Sequence, residues 1–281
     1  MKTILSLLVS LLLLMPGYSQ EIYQHGRLTL LWEKTEGLKT PESVLYDPTG
    51  NVLYVANIND NPWQKDGNGY ISKLATDGTI LSARWATGLS APKGMGILNG
   101  KLYVTNIDEV AEIDLETGKV INRYTHPEAV NLNDIAVNPD GQVYVSDSKG
   151  NYIYYLLNNK LEIFSDSPEI QGSNGLCIYK RQLLCGQDNS VVAINLVSKE
   201  VTPFIEDTGG IDGIEVIGKD TFLISDWSGH VYMAEPGKEK FLLLDTTPVK
   251  KNAADIGYNR SEGILYVPTF FSNGVTAYRL D

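Results

Sequence analysis

The chain has 281 residues, 34 of them acidic and 23 basic, for a formal charge of −11, with 43% hydrophobic and 20% charged residues. A surface this acidic repels phosphate backbones and anionic lipid heads, which argues against nucleic acid and membrane-surface partners. The length suffices for one large core.

Residues 1–19 read as a secretory leader: Met1-Lys2 gives a basic start, residues 4–15 an apolar run, and Gly17-Tyr18-Ser19 a small-residue cleavage pattern. The run is short for a membrane span, and there is no cysteine at the cleavage point to carry a lipid anchor. The expected mature chain starts near Gln20, is exported to the periplasm or beyond the cell, and carries 22 basic against 34 acidic residues, or −12, once Lys2 is removed.

Residues 26–34 form a strand-like segment with no repeat of its own. After it, one apolar-aromatic strand recurs six times, at Leu53-Tyr54-Val55, Leu102-Tyr103-Val104, Val143-Tyr144-Val145, Leu183-Leu184-Cys185, Phe222-Leu223-Ile224 and Leu265-Tyr266-Val267. The steps between copies are 49, 41, 40, 39 and 43 residues. A period near 40 built from strands is the signature of a β-propeller blade. A second motif lies nine to eleven residues before each copy, starting at Glu42, Lys93, Asn133, Asn174, Asp212 and Ala254.

Turn signals such as Pro48-Thr49-Gly50 and Pro139-Asp140-Gly141 separate the first two strands of a repeat. Third strands are visible at residues 71–74, 109–114, 152–156, 191–195, 230–233 and 275–280. The last repeat stops after its third strand, so residues 26–34 are expected to supply the missing fourth. The predicted fold is therefore all-β, a six-bladed β-propeller closed by an N-terminal strand, over residues 20–281 as one domain.

In such a ring the start of each first strand and the end of each second strand lie at one mouth. The first set reads Glu42, Lys93, Asn133, Asn174, Asp212 and Ala254; the second reads Asn57, Asn106, Asp147, Gln187, Asp226 and Thr269. Eleven of these twelve are polar and are expected to converge on an axial pocket for a small molecule, with Asn57, Asn106, Asp147, Asn133 and Lys93 as substrate contacts. Glu42, Asn174 and Asp212 combine two carboxylates and an amide oxygen, a donor set for a hard divalent cation. Asn or Asp before Gly is also an ordinary turn pair, so spacing alone leaves a capping role open.

These motifs resemble the senescence marker protein/gluconolactonase group, the regucalcin-like six-bladed lactone hydrolases. The resemblance spans all six repeats as a pattern and is anchored at Pro41-Glu42-Ser43, Asn133-Asp134, Ser173-Asn174-Gly175-Leu176 and Ile211-Asp212-Gly213. It implies one divalent cation on Glu42, Asn174 and Asp212, with calcium the first expectation and magnesium or manganese the alternatives. It also implies Asn133 beside substrate and metal, and metal-assisted opening of a lactone or small ester with Asp212 as base. Two positions depart from the pattern. Asn131 stands where gluconolactonase-type members usually carry an arginine, and Lys93 brings an ammonium beside the cation set.

The other features are weighed against this expectation. Only His25, His126 and His230 are present and no Gly-x-Ser-x-Gly elbow occurs, so a serine triad is not expected. Residues 58–68 form a long loop at the mouth, read as a lid with Trp63 as its apolar foot, the alternatives being a plain surface insertion or a calcium loop of its own. Trp227, a further expected substrate contact, rims the same mouth with Phe270 and Phe271, where aromatics serve either a ligand or packing between blades. Cys177 and Cys185 flank a hairpin turn; they form a disulfide if the turn centres near Arg181, and are otherwise small core residues. The rival to the hydrolase is a non-catalytic propeller of the NHL-repeat sort that binds a small ligand, peptide or glycan at the same mouth.

Overall fold

The computed structural model describes residues 21–281, so the expected leader and its cleavage site lie outside the described residues. Six antiparallel sheets are arranged in a ring, one per repeat, with strand order following the chain from the axis outwards. Blade one comprises Pro41–Asp47, Val52–Asn57, Gly69–Ala75 and Ile80–Leu89. Blade two comprises Pro92–Leu98, Lys101–Asn106, Glu109–Asp114 and Val120–Thr125, and blade three Leu132–Val137, Val143–Asp147, Tyr152–Leu157 and Lys160–Ser165. Blade four comprises Leu176–Tyr179, Gln182–Gly186, Ser190–Asn195 and Val201–Glu206, and blade five Ile214–Gly218, Thr221–Asp226, His230–Ala234 and Phe241–Asp245.

Blade six has only three strands from its own repeat, Gly257–Asn259, Ile264–Pro268 and Val275–Leu280. Leu28–Lys34 completes it, pairing Leu28 with Leu280 and Lys34 with Val275. The ring is thus closed by the N-terminal strand, as the truncated last repeat requires. A further short strand, Tyr23–Gln24, adds to the outer edge of blade five; two residues carry too little periodicity to signal a strand.

Burial follows the distance from the axis. The repeated second strands are covered by neighbouring blades on both faces, and Leu53, Val55, Leu102, Val104, Leu183, Phe222, Leu223, Ile224 and Leu265 have no exposed surface. In the outer strand Val201–Glu206 only Ile205 is buried. Apolar clusters lie between successive sheets, such as Tyr54, Ile71 and Ala86 of blade one against Met95, Leu102 and Val104 of blade two.

Near the axis the inner strands approach too closely for side chains. A Cβ on Gly175 would lie 2.2 Å from the Asp212 carbonyl oxygen, and one on Gly94 2.2 Å from Asp134 Oδ1. The Gly in the Asn-Gly and Lys-Gly motifs is therefore a packing requirement.

The cysteines illustrate register. The hairpin pairs Tyr179 with Gln182 and so turns on Lys180-Arg181, which sets Cys177 opposite Leu184 and Cys185 opposite Leu176. One residue of offset puts the two side chains on opposite faces of the sheet. Cys185 packs between blades three and four and Cys177 between four and five. Both are free thiols, raised by burial, Cys185 to about 12.

Candidate functional site

The starts of the first strands do converge on the axis. Glu42, Lys93, Asn133 and Asp212 are buried and Asn174 is half-buried; the sixth member, Ala254, is buried and apolar. Asn174 Nδ2 donates to Asp212 Oδ1 at 2.8 Å, tying blade four to blade five across the mouth. That bond leaves Asn174 Oδ1 without a donor, and Glu42 Oε2 is a second buried oxygen with none. Asn131 Oδ1 is a third, its Nδ2 being held by Ser148 Oγ at 2.7 Å. Asn133 Nδ2 also reaches Ser148 Oγ, at 3.4 Å. A buried acceptor without a partner is costly, and the two inner-ring oxygens, Glu42 Oε2 and Asn174 Oδ1, mark a place for a cation or a hydrogen-bond donor.

The electrostatics follow from burial. Removal from water raises Glu42 well above the ordinary carboxylate range; the Lys93 ammonium opposes the rise, and Asp212 and Asp134 add to it. Asp212 is pushed up to about 6 by the same desolvation, against the Asn174 hydrogen bond and Lys93. Lys93 thus acts on both carboxylates, yet it makes no ion pair within 4 Å among the described residues. Its Nζ lies 4.8 Å from the centre of the Trp63 ring, a cation–π contact. The loop of residues 58–68 therefore reaches over the inner ring, and Lys65 fastens it to Asp108 of blade two at 2.5 Å.

The second set of mouth residues does different work. Asn57 Oδ1 accepts from Lys39 N, while its Nδ2 donates to Val55 O and Ser72 Oγ. Asn106 Oδ1 accepts from Ser90 N and Ala91 N. Asp147 accepts from Val130 N, Asn131 N, Lys149 N and Gly150 N. Each of these residues clasps the segment leading into its own blade, and the remaining amide groups of Asn57 and Asn106 bond Ser72 Oγ and Glu109 Oε1. Gln187 and Asp226 bind loop backbone in the same way.

Asn131 and Ser148 are the residues whose place in the site the repeat alignment did not indicate. Asn131 lies one position before Leu132–Val137, outside the aligned motif; the family resemblance marked the position as a departure, and its orphaned oxygen distinguishes it in the structure. The histidines stay away from the inner ring: His230 is bonded to Asp226, His126 packs on Tyr154 and His25 on Phe241. Among the described residues no three His, Cys, Asp or Glu side chains come together as a metal cluster. A cation here would need the Asn174 amide oxygen beside Glu42 and Asp212.

Below this ring the channel is also acidic. Asp134 Oδ1 and Oδ2 accept from Ile135 N and Leu176 N, each at 2.6 Å, linking blades three and four. Asp255 Oδ2 accepts from Ser43 Oγ at 2.5 Å, linking blades six and one. With Glu215 these carboxylates line an axial cavity of about 200 Å³. Burial raises Asp134 to about 7, Glu215 to about 8 and Asp255 well above its ordinary value.

No protein-family profile and no curated protein sequence matches this chain. Among solved structures it is similar to a streptogramin B lyase, with a TM-score of 0.65 and 14% identity over 92% of this chain and 98% of that one. It is also similar to a catalytically inactive histidine-to-alanine variant of virginiamycin B lyase from Staphylococcus aureus, solved with quinupristin, with a TM-score of 0.63 and 14% identity over 93% and 100% of the two chains. A candidate gluconolactonase aligns with a TM-score of 0.63 and 15% identity over 90% and 92%. At these identities the likeness is one of fold: the chain is a six-bladed β-propeller whose axial mouth gathers Glu42, Lys93, Asn133, Asn174 and Asp212.

Proposed function

We propose that the protein is an exported hydrolase that opens a lactone or related small ester at the axial mouth, using a divalent cation held by Glu42, Asn174 and Asp212. The observation that carries this reading is the pair of buried, donorless oxygens, Glu42 Oε2 and Asn174 Oδ1, beside the Asp212 carboxylate. Oxygen donors of this kind suit calcium, magnesium or manganese better than zinc. The solved candidate gluconolactonase with the same fold supports the reading.

When bound, the cation supplies Lewis-acid polarisation of a carbonyl and lowers the pKa of a water. The chain's own residues do the rest. Asn133 presents its amide to substrate, and Asn131 offers its free carbonyl oxygen to a substrate hydroxyl. Asp212, with one oxygen fixed by Asn174, receives the proton of the attacking water. The water oxygen bonds to the carbonyl carbon, the acyl–oxygen bond breaks, and the proton returns to the leaving alkoxide, giving a hydroxy acid with no redox partner.

The test is thermal melting of chelated protein with calcium, magnesium or manganese restored singly. A site filled at a hundred times its dissociation constant adds about 2.7 kcal/mol, a rise of several degrees for a chain of this size. The rise should vanish in the double variant Glu42→Gln, Asp212→Asn, together with hydrolysis. No rise with any ion would favour the second reading, a binder in which the Lys93 ammonium serves as the resident cation.

A further inference from the structure

The residue following each clasp at the end of the second strand divides the mouth in two. Taken round the ring from blade one it reads Ile58, Ile107, Ser148, Asp188, Trp227 and Phe270. Blades three and four are polar at this position; blades five, six, one and two are apolar and contiguous. Ile58, Ile107 and Phe270 come together in one buried cluster with Ala91 and with Ala254, the apolar member of the inner ring. The apolar side thus runs without a break from the rim to the axis.

Two backbone outliers hold this side in place. Ile107 has φ +64° and Phe270 φ +42°. A β-branched or aromatic side chain in the left-handed region is strained, and glycine or asparagine would serve the turn better. Strain retained at a ligand mouth is a mark of function. Above the cluster, Trp227 and Phe271 stand 45% and 63% exposed, edge to face at 5.7 Å, and both also meet the Phe270 ring edge to face. Trp63 of the lid is 61% exposed and roofs Lys93. Three large aromatics left in water around one polar centre form a surface awaiting an apolar partner.

We propose that the mouth takes an amphipathic lactone or ester, with its carbonyl over the polar side at Asn133, Asn174 and Asp212 and an aromatic or branched acyl arm on the apolar shelf of Trp227, Phe271 and Trp63. A polyhydroxylated sugar lactone is a poor occupant, because its hydroxyls would lie against the exposed aromatic faces of Trp227, Phe271 and Trp63. The inference rests on the hydrolase reading for the identity of the reacting group, while the shelf itself is a matter of binding.

The experiment is calorimetric titration of the cation-supplemented protein with two probes, a γ-butyrolactone bearing a phenylacetylamide arm and a polyhydroxylated lactone, with released acid measured in parallel. The expected result is tighter binding of the arm-bearing probe by at least tenfold and a more negative heat-capacity change, the signature of apolar burial. Trp227→Ala and Phe271→Ala each alter an exposed rim residue; they should abolish most of that preference while the melting temperature stays within a degree or two. Equal affinity for the two probes, absence of binding by the arm-bearing probe, or a preference that survives both variants overturns the proposal. Preferential binding without released acid supports the shelf and counts against the hydrolase; release of acid from both probes at equal rates supports the hydrolase and counts against the shelf.

Discussion

Lys93 decides how the inner ring behaves. Its ammonium lowers the proton affinity of both Glu42 and Asp212, so it also competes with any divalent cation for their field. The Trp63 face gives it somewhere to rest other than against the carboxylates. Lys93→Met keeps the stem and removes the charge; cation affinity measured by calorimetry should rise about tenfold, roughly 1.4 kcal/mol. Unchanged affinity would mean that the ammonium already stands outside the cation's reach. The sequence exposed the identity of every inner-ring residue, because the six repeats align them, but it did not expose their roles. Asn57 and Asn174 look alike in a strand-end alignment. They differ because Asn57 points at the backbone of residue 39, whereas Asn174 points across to the next blade. That difference belongs to the ring geometry and is not written in either residue's neighbours.

Single strands and loops carry the closure of the ring and its access. Leu28 is buried in the cluster that joins blades five and six, with Leu244, Leu265 and Tyr278. Leu28→Ala should cost about 2–4 kcal/mol in urea unfolding, since it opens a cavity in the element that covers the edge of Val275–Leu280. A loss under 1 kcal/mol would show that the strand merely decorates the last blade. The lid makes the opposite case. Lys65–Asp108 is an ion pair between partly exposed side chains and contributes little to global stability. Lys65→Ala should leave the melting temperature within a degree or two yet speed proteolysis within residues 58–68. At this scale the sequence was most legible where a strand repeats: the third strand of blade two runs Glu109–Asp114 and that of blade six Val275–Leu280, as the spacing indicated. It was least legible where one residue of register matters, as at Cys177 and Cys185, because a two-residue turn and its one-residue shift look alike in composition.

For the molecule as a whole, the six inner strands press acidic residues into a low-dielectric axis, and this sets how stability responds to pH. Asp134, Glu215 and Asp255 all have folded-state values above their ordinary ones, with burial as the leading cause. Between the ordinary value and the raised one, the folded protein holds protons that the unfolded chain has released. Their contribution is complete below the ordinary values of 3.8 and 4.5 and is lost as pH rises through about 7 for Asp134 and about 8 for Glu215. The melting temperature should therefore fall as pH is raised from about 5 to about 8.5, the reverse of a protein held by salt-bridged carboxylates. Glu215 separates this effect from the candidate cation site, because it lines the lower cavity and lies outside the inner ring. Glu215→Gln keeps the shape and removes the ionisation, so the decline between about pH 7 and 8.5 should flatten and the variant should be the more stable protein at the alkaline end. A profile that keeps its full alkaline decline in Glu215→Gln would show that Glu215 is not the source of that decline.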